Sequence, residues 1–338
     1  TLRSLLDAVA EGAAADAAVV EDGLAQAVAA GRLRQAEASR YGEIVANAVT
    51  GLSSLRPGRA ATVGAVLHDV AVHADAYDEP RALALLTMLA TNAEYLARKP
   101  LPEDPLDIED ADGVVYRYFA GHGFQFHPLA NFARLNVLVR KEEREAAGRL
   151  ASALVARGVP SGRAVTWEYY FPFQGPPRWT SGLAQAAGAQ ALARSGAQLG
   201  DPELLEQARG AYRAIPAALL RSAADGLWIR EYGFADTAIL NAQLQSMVSL
   251  SEYVDLTGDE HARAVVTRMT AAARALLARF DTGCWSRYAL DGAPASTAYH
   301  TYHVSLLQQL ARRSGEALWS DTASRWDGYL KSGACTTT

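Results

Sequence analysis

Apolar residues recur at helical spacing along almost the whole chain, and few β-branched runs alternate strictly enough to compete, which limits the fold to a mainly α class. Alanine and leucine, both strong helix formers, dominate. The pattern predicts helices over about 14–31, 33–51, 58–75, 79–97, 127–139, 141–157, 179–198, 201–222, 237–256, 258–279, 299–314 and 317–331. Start signals punctuate several pairs: Asp201-Pro-Glu, Thr257-Gly-Asp-Glu and Ser314-Gly-Glu each read as a cap leading into a helix. A helical hairpin cannot bury its apolar face alone, so hairpins must stack. The expected architecture is all-α, an α/α toroid of the (α/α)6 type, with short β-hairpin or extended-loop insertions lining a cleft.

Those insertions carry the chemistry-bearing residues. Trp228-Ile-Arg-Glu-Tyr-Gly places Glu231 and Tyr232 at a turn before an apolar helix, and Tyr299-His-Thr-Tyr-His-Val repeats the design at the mouth of another. Further aromatic-polar insertions run over 100–126, 164–178 and 281–298. The acidic stretch 103–112 could hold calcium, but a solvated loop is the preferred reading. Tyr169, Tyr170, Phe171 and Phe173 read as packing beneath a loop, and Asp281-Thr-Gly reads as a turn former.

Composition then excludes several classes. The 338 residues are 50% hydrophobic and carry a net charge of −5, with no basic run or basic-aromatic stripe, which argues against a nucleic-acid partner. No stretch approaches the roughly 20 apolar residues of a membrane span. The opening Thr-Leu-Arg-Ser lacks the basic start and apolar core of a signal peptide, a pattern that also fits an exported chain whose leader has been removed. Two cysteines, Cys284 and Cys335, either bond to each other or stay as separate thiols. His300 and His303 have the spacing of a metal pair, but no third ligand accompanies them, so neither a metal nor any other cofactor is expected.

Four stretches resemble, in order, the catalytic domain of D-glucuronyl C5-epimerases. Phe126-His-Pro-Leu-Ala-Asn-Phe-Ala-Arg-Leu resembles its Tyr-Pro-Ile-Gln-Ile-Ala-Gln-Tyr-Gly-Leu, and Trp179-Thr-Ser-Gly-Leu-Ala its Met-Ser-Gln-Gly-Leu-Ala. Trp228-Ile-Arg-Glu-Tyr resembles Trp-Tyr-Glu-Glu-Tyr-Pro. Phe280-Asp-Thr-Gly, Ser286-Arg-Tyr and Tyr299-His-Thr-Tyr-His-Val resemble Tyr-Asp-Thr-Gly, Thr-Ile-Tyr and Tyr-His-Thr-Thr-His-Ile. The resemblance implies that residues 112–338 form the epimerase-like catalytic part and 1–111 the N-terminal hairpins of the same toroid. It also implies inversion of glucuronate to iduronate in heparosan-type chains, and a homodimer. Carried over by motif, the catalytic glutamate falls on Glu231, its neighbouring tyrosine on Tyr232, and two later active-site tyrosines on Tyr288 and Tyr299. Ser296-Thr-Ala departs from the arginine and acid that precede the family's Tyr-His-Thr, and Gly233 and Asn131 depart from its Pro and Gln.

Inverting C5 requires one group to remove a proton beside a carboxylate and another to return one to the opposite face. Glu231 is the expected base if aromatic walls desolvate it, with Tyr299 or Tyr288 opposite. Arg178 and His303 are the expected partners of substrate carboxylates, with His300 and Arg230 as further hydrogen-bonding groups. Asn131, Gln185, Asn241 and Trp179 suit sugar hydroxyls and ring faces, and His127 a wall of the site. The expected partner is therefore an acidic polysaccharide or oligosaccharide. A polysaccharide lyase would use the same carbanion, and a glycoside hydrolase would pair Glu231 with Asp236 or Glu168. A helical-repeat binding module is the non-enzymatic alternative.

Overall fold

The computed structural model describes residues 2–103, 105–333 and 335; Asp104, part of the acidic stretch, lies outside them. The chain divides into two compact units, one of residues 1–160 with 167–179 and the other of 161–166 with 180–338.

In the first unit, α1 (Leu2–Ala29), α2 (Gln35–Gly51), α3 (Pro57–Ala71) and α4 (Glu79–Arg98) form stacked helices. Asp78 caps α4 by accepting from the Arg81 amide at 3.0 Å, and Pro80 sits in its first turn. The insertion that follows folds as an antiparallel meander of β1 (Asp107–Glu109), β2 (Val115–Phe119) and β3 (Gly123–Phe126), with Tyr116 opposite Phe126. Two buried asparagines serve as surrogate strand partners. Asn92 exchanges hydrogen bonds with both backbone groups of Phe124 at 2.7 and 2.8 Å, and Asn131 does the same with Val115. Helices α5 (Pro128–Arg140) and α6 (Arg144–Val155) complete this unit, where Phe132 packs edge-on against Trp167.

The short strands β4 (Val159–Ser161), β5 (Ala164–Thr166), β6 (Glu168–Tyr169) and β7 (Trp179–Thr180) precede the helices of the second unit. These are α7 (Gly182–Leu199) and α8 (Pro202–Ala218), then a hairpin of β8 (Leu220–Ala223) and β9 (Gly226–Ile229), then α9 (Leu240–Thr257), α10 (Glu260–Leu276), α11 (Thr297–Ser314) and α12 (Ala317–Ser332). Helix α7 is buried along nearly its whole length, as its Ala-rich sequence permits. Asp201 and Asp259 cap α8 and α10, following Gly200 and Gly258 in the left-handed conformation.

The all-α class with short β insertions is thus the observed one. Details differ from the expectation. The first helix begins at Leu2 rather than near 14, and the stretch expected as helix to 222 turns into β8 after Ala218. At Ser314-Gly-Glu, Glu316 makes no side-chain cap; instead Ser314 Oγ accepts from the Glu316 amide at 3.2 Å, and Gly315 ends α11. No helix among the described residues is long and apolar enough to cross a membrane.

Candidate active site

Glu231 follows β9, and three features hold its segment in place. Trp228 is fully buried and stacks on Phe280. The Gln243 side chain accepts from the Ile229 amide at 2.8 Å and donates to the carbonyls of Leu227 and Met269 at 2.9 Å. Beyond the strand, the Gly182 amide donates to the Arg230 carbonyl and the Gly233 amide to that of Thr180. A Cβ on Gly182 would lie 2.5 Å from the Arg230 oxygen, so only glycine lets α7 begin this close to the glutamate segment.

Tyr288 sits on the loop between α10 and α11, and Tyr299 in the first turn of α11. Asp281 ties this loop to α12 by accepting from Arg325 and Trp326 at 2.9 Å and from the Tyr329 hydroxyl at 3.1 Å. It therefore does more than form a turn. Cys284 and Cys335 are bonded, which fastens the same loop to the C-terminal tail. Inside, Ser286 meets both histidines: its amide donates to His300 Nδ1 at 3.0 Å, and its hydroxyl lies 2.8 Å from Nδ1 of His300 and of His303. His300 Nε2 then donates to the Trp326 carbonyl at 2.9 Å, which fixes its tautomer.

These contacts correct two expectations. Both histidines are fully buried, and burial lowers the pKa of each, that of His303 to about 3. They are neutral ties between loop and helix rather than cations for a substrate carboxylate. Replacing Ser286 by Ala should destabilise the protein by about 1–3 kcal/mol, because it strips a hydrogen bond from buried imidazole nitrogens. Urea denaturation measures this, and an unchanged midpoint would show that the network carries no stability.

Loop and helix together bring Tyr288 and Tyr299 into ring contact, with centroids 4.7 Å apart. Tyr232 and Tyr299 both bear on the Tyr288 phenol, so the three tyrosines form one cluster. Glu231 belongs to the same cluster, since its charge raises the phenols of Tyr232, Tyr288 and Tyr302. The glutamate keeps some exposure as a residue, but its Oε2 is buried and receives no hydrogen bond among the described residues. Desolvation pushes its carboxyl up to about 7 with no cation to offset it. Desolvation also raises the phenols of Tyr232 and Tyr302 to about 12, and that of Tyr288 further. A carboxyl that exchanges its proton near neutrality thus stands among phenols that keep theirs.

Tyr302 did not stand out as a candidate from the sequence. The signal was present: it lies three residues after Tyr299 and so shares its helix face. A groove of about 400 Å³ lined by Ser251, Asp255, Arg263, Thr267 and Arg313 holds none of this cluster.

Other expected site residues are used by the fold. Gln185 is fully buried and donates to the carbonyls of Val165 and Ala211, and Asn131 is spent on Val115; neither is placed to meet sugar hydroxyls. Asn241 is buried at the start of α9. Arg230 and the exposed Asp236 pair with each other at 2.8 Å, and Arg81 grips Glu168 with two bonds at 2.8 and 2.9 Å, so neither acid is a free hydrolytic partner. In the first unit, His127 caps α5 through Nδ1 and Trp179 stacks on Tyr169 with centroids 4.0 Å apart. Arg178 is partly exposed there, 4.0 Å from Glu168.

Residues 161–328 match the family of the D-glucuronyl C5-epimerase C-terminus. This segment, just under half of the chain, is similar to that family. The C5-epimerase segment begins where the second unit begins, and it holds Glu231 and all four tyrosines. A D-glucuronyl C5-epimerase of Caenorhabditis elegans is 29% identical over 179 residues, covering 46% of this chain and 29% of the worm protein. Two solved structures are more distant. An endoglucanase from Komagataeibacter sucrofermentans is 15% identical with a TM-score of 0.42, over 57% of this chain and 70% of its own. An unsaturated glucuronyl hydrolase from Bacillus sp. GL1 is 14% identical with a TM-score of 0.43, over 87% and 73%.

Proposed function

We propose that the protein epimerises glucuronate to iduronate at C5 within an acidic polysaccharide. The observation that carries this reading is the desolvated Glu231, whose carboxyl lies at about 7 among phenols held protonated. In the proposed step the Glu231 carboxylate takes the C5 proton, and the C–H electron pair moves into the substrate carboxyl group as an enediolate. The Tyr299 hydroxyl then delivers its proton to the opposite face of C5. The tyrosinate is re-protonated through Tyr288, and Glu231 loses its proton to restore the starting state. A phenol is a strong enough acid to quench a carbanion, which suits a tyrosine as the donor.

Incubation with heparosan and other uronate polymers tests the proposal. Iduronate signals by NMR with unchanged chain mass are the expected result. Unsaturated chain ends would make the protein a lyase, and new reducing ends without unsaturation a hydrolase; either outcome overturns the proposal.

A further inference from the structure

A continuous line of side-chain hydrogen bonds leads away from the Glu231 cluster across three helices of the second unit. It begins at Tyr302 on α11, whose hydroxyl lies 2.5 Å from Gln245 Oε1 on α9. Gln245 Nε2 lies 2.9 Å from Ser249 Oγ, one turn further along α9. Ser249 Oγ lies 3.1 Å from Gln190 Oε1 on α7, and Gln190 Nε2 lies 2.7 Å from Glu252 Oε2. Arg194 closes the line by donating to both oxygens of Glu252. Ser249 and Gln190 are buried, so water has little access to the middle of the chain.

The far end dictates the direction of every proton. Burial would raise the Glu252 carboxyl, but hydrogen bonds from Arg194 and Gln190 outweigh it and hold the group below its ordinary value, so it is ionised and can only accept. Gln190 must then turn its amide nitrogen to Glu252 and its oxygen to Ser249. The single Ser249 proton therefore points to Gln190, and Ser249 must accept from the nitrogen of Gln245. That leaves the oxygen of Gln245 facing Tyr302, whose own proton is committed to it.

We propose that Tyr302 is a substrate-positioning residue, not a proton donor to C5: the relay ending at Glu252 locks its O–H inward and leaves its oxygen to accept from a sugar hydroxyl. Tyr302 stands where the resembled epimerase motif has threonine, so this contact belongs to the present chain. The substrate part of the proposal rests on the epimerase reading; the proton polarity does not.

The polarity is measured without substrate. A 3,5-difluorotyrosine placed at position 302 is more acidic than tyrosine and reports its ionisation by fluorine NMR, with Glu231 and Tyr299 as the ionisable neighbours in every variant. In the otherwise unchanged protein Gln245 offers the phenolate only a carbonyl oxygen. Ser249→Ala or Glu252→Gln lets Gln245 turn its N–H to the phenolate, and each should lower the phenol pKa by about one unit. A shift in Glu252→Gln alone would reduce the effect to loss of a charge, and a shift in neither would leave only packing; both outcomes overturn the polarity. On an accepted polymer, Tyr302→Phe should raise KM about tenfold with kcat nearly unchanged. Collapse of kcat at constant KM would make Tyr302 the proton donor and overturn the proposal. If no polymer is turned over, the epimerase reading fails while the fluorine titration still decides the relay.

Discussion

Replacing Glu231 by Gln should lower kcat/KM on an accepted uronate polymer by a factor of about 100 to 10,000, the range contributed by a positioned general base. Glutamine keeps the size and most of the packing of glutamate, so the loss would report the proton acceptor rather than a broken fold. The wild-type pH profile carries a matching signature. Only the ionised carboxylate can take the C5 proton, so kcat/KM should climb as pH rises through about 7. Steady-state kinetics of both proteins across this range check the pair of expectations. A Glu231→Gln variant that keeps wild-type kcat/KM would remove the glutamate from the mechanism.

The same substitution should stabilise the protein, increasingly as pH rises above about 4.5 and fully above about 7. In the unfolded chain the Glu231 carboxyl ionises near 4.5, and in the folded one near 7. Between those values the unfolded state has released a proton that the folded state retains, so stability falls as pH rises across the window and is level above it. The full loss is bounded at about 3 kcal/mol. Glutamine does not titrate, so the variant should gain up to that amount over wild type at pH 8 and almost none at pH 4.5. Urea denaturation at the two pH values measures the difference. An equal effect at both would show that Glu231 is not desolvated. The expected sign is that of an active-site group held at a cost to stability.

Much of the local architecture is legible along the chain. Asp201 and Asp259 cap helices where Asp201-Pro-Glu and Thr257-Gly-Asp-Glu predict, because capping depends on residues close in sequence. Glu231, Tyr232, Tyr288 and Tyr299 do assemble into one cluster in the second unit. Tertiary partners are what the sequence hides. His300 and His303 read as available groups on a helix mouth until the loop residue Ser286 is found between them. Asn131 and Gln185 read as ligands for sugar hydroxyls, yet their amides answer backbone groups of Val115, Val165 and Ala211, which no local pattern identifies. Ser314-Gly-Glu shows that a start signal can serve the end of one helix as well as the beginning of the next.

The most direct test of the account is exchange at C5. Heparosan is incubated with the protein in heavy water, and deuterium at each sugar carbon is read by NMR, with Glu231→Gln as the paired control. Deuterium entering C5 of uronate residues in chains of unchanged length, and failing to enter with Glu231→Gln, is the predicted result. Iduronate formed without deuterium at C5, or exchange that persists in Glu231→Gln, would contradict proton transfer through Glu231 and its tyrosines.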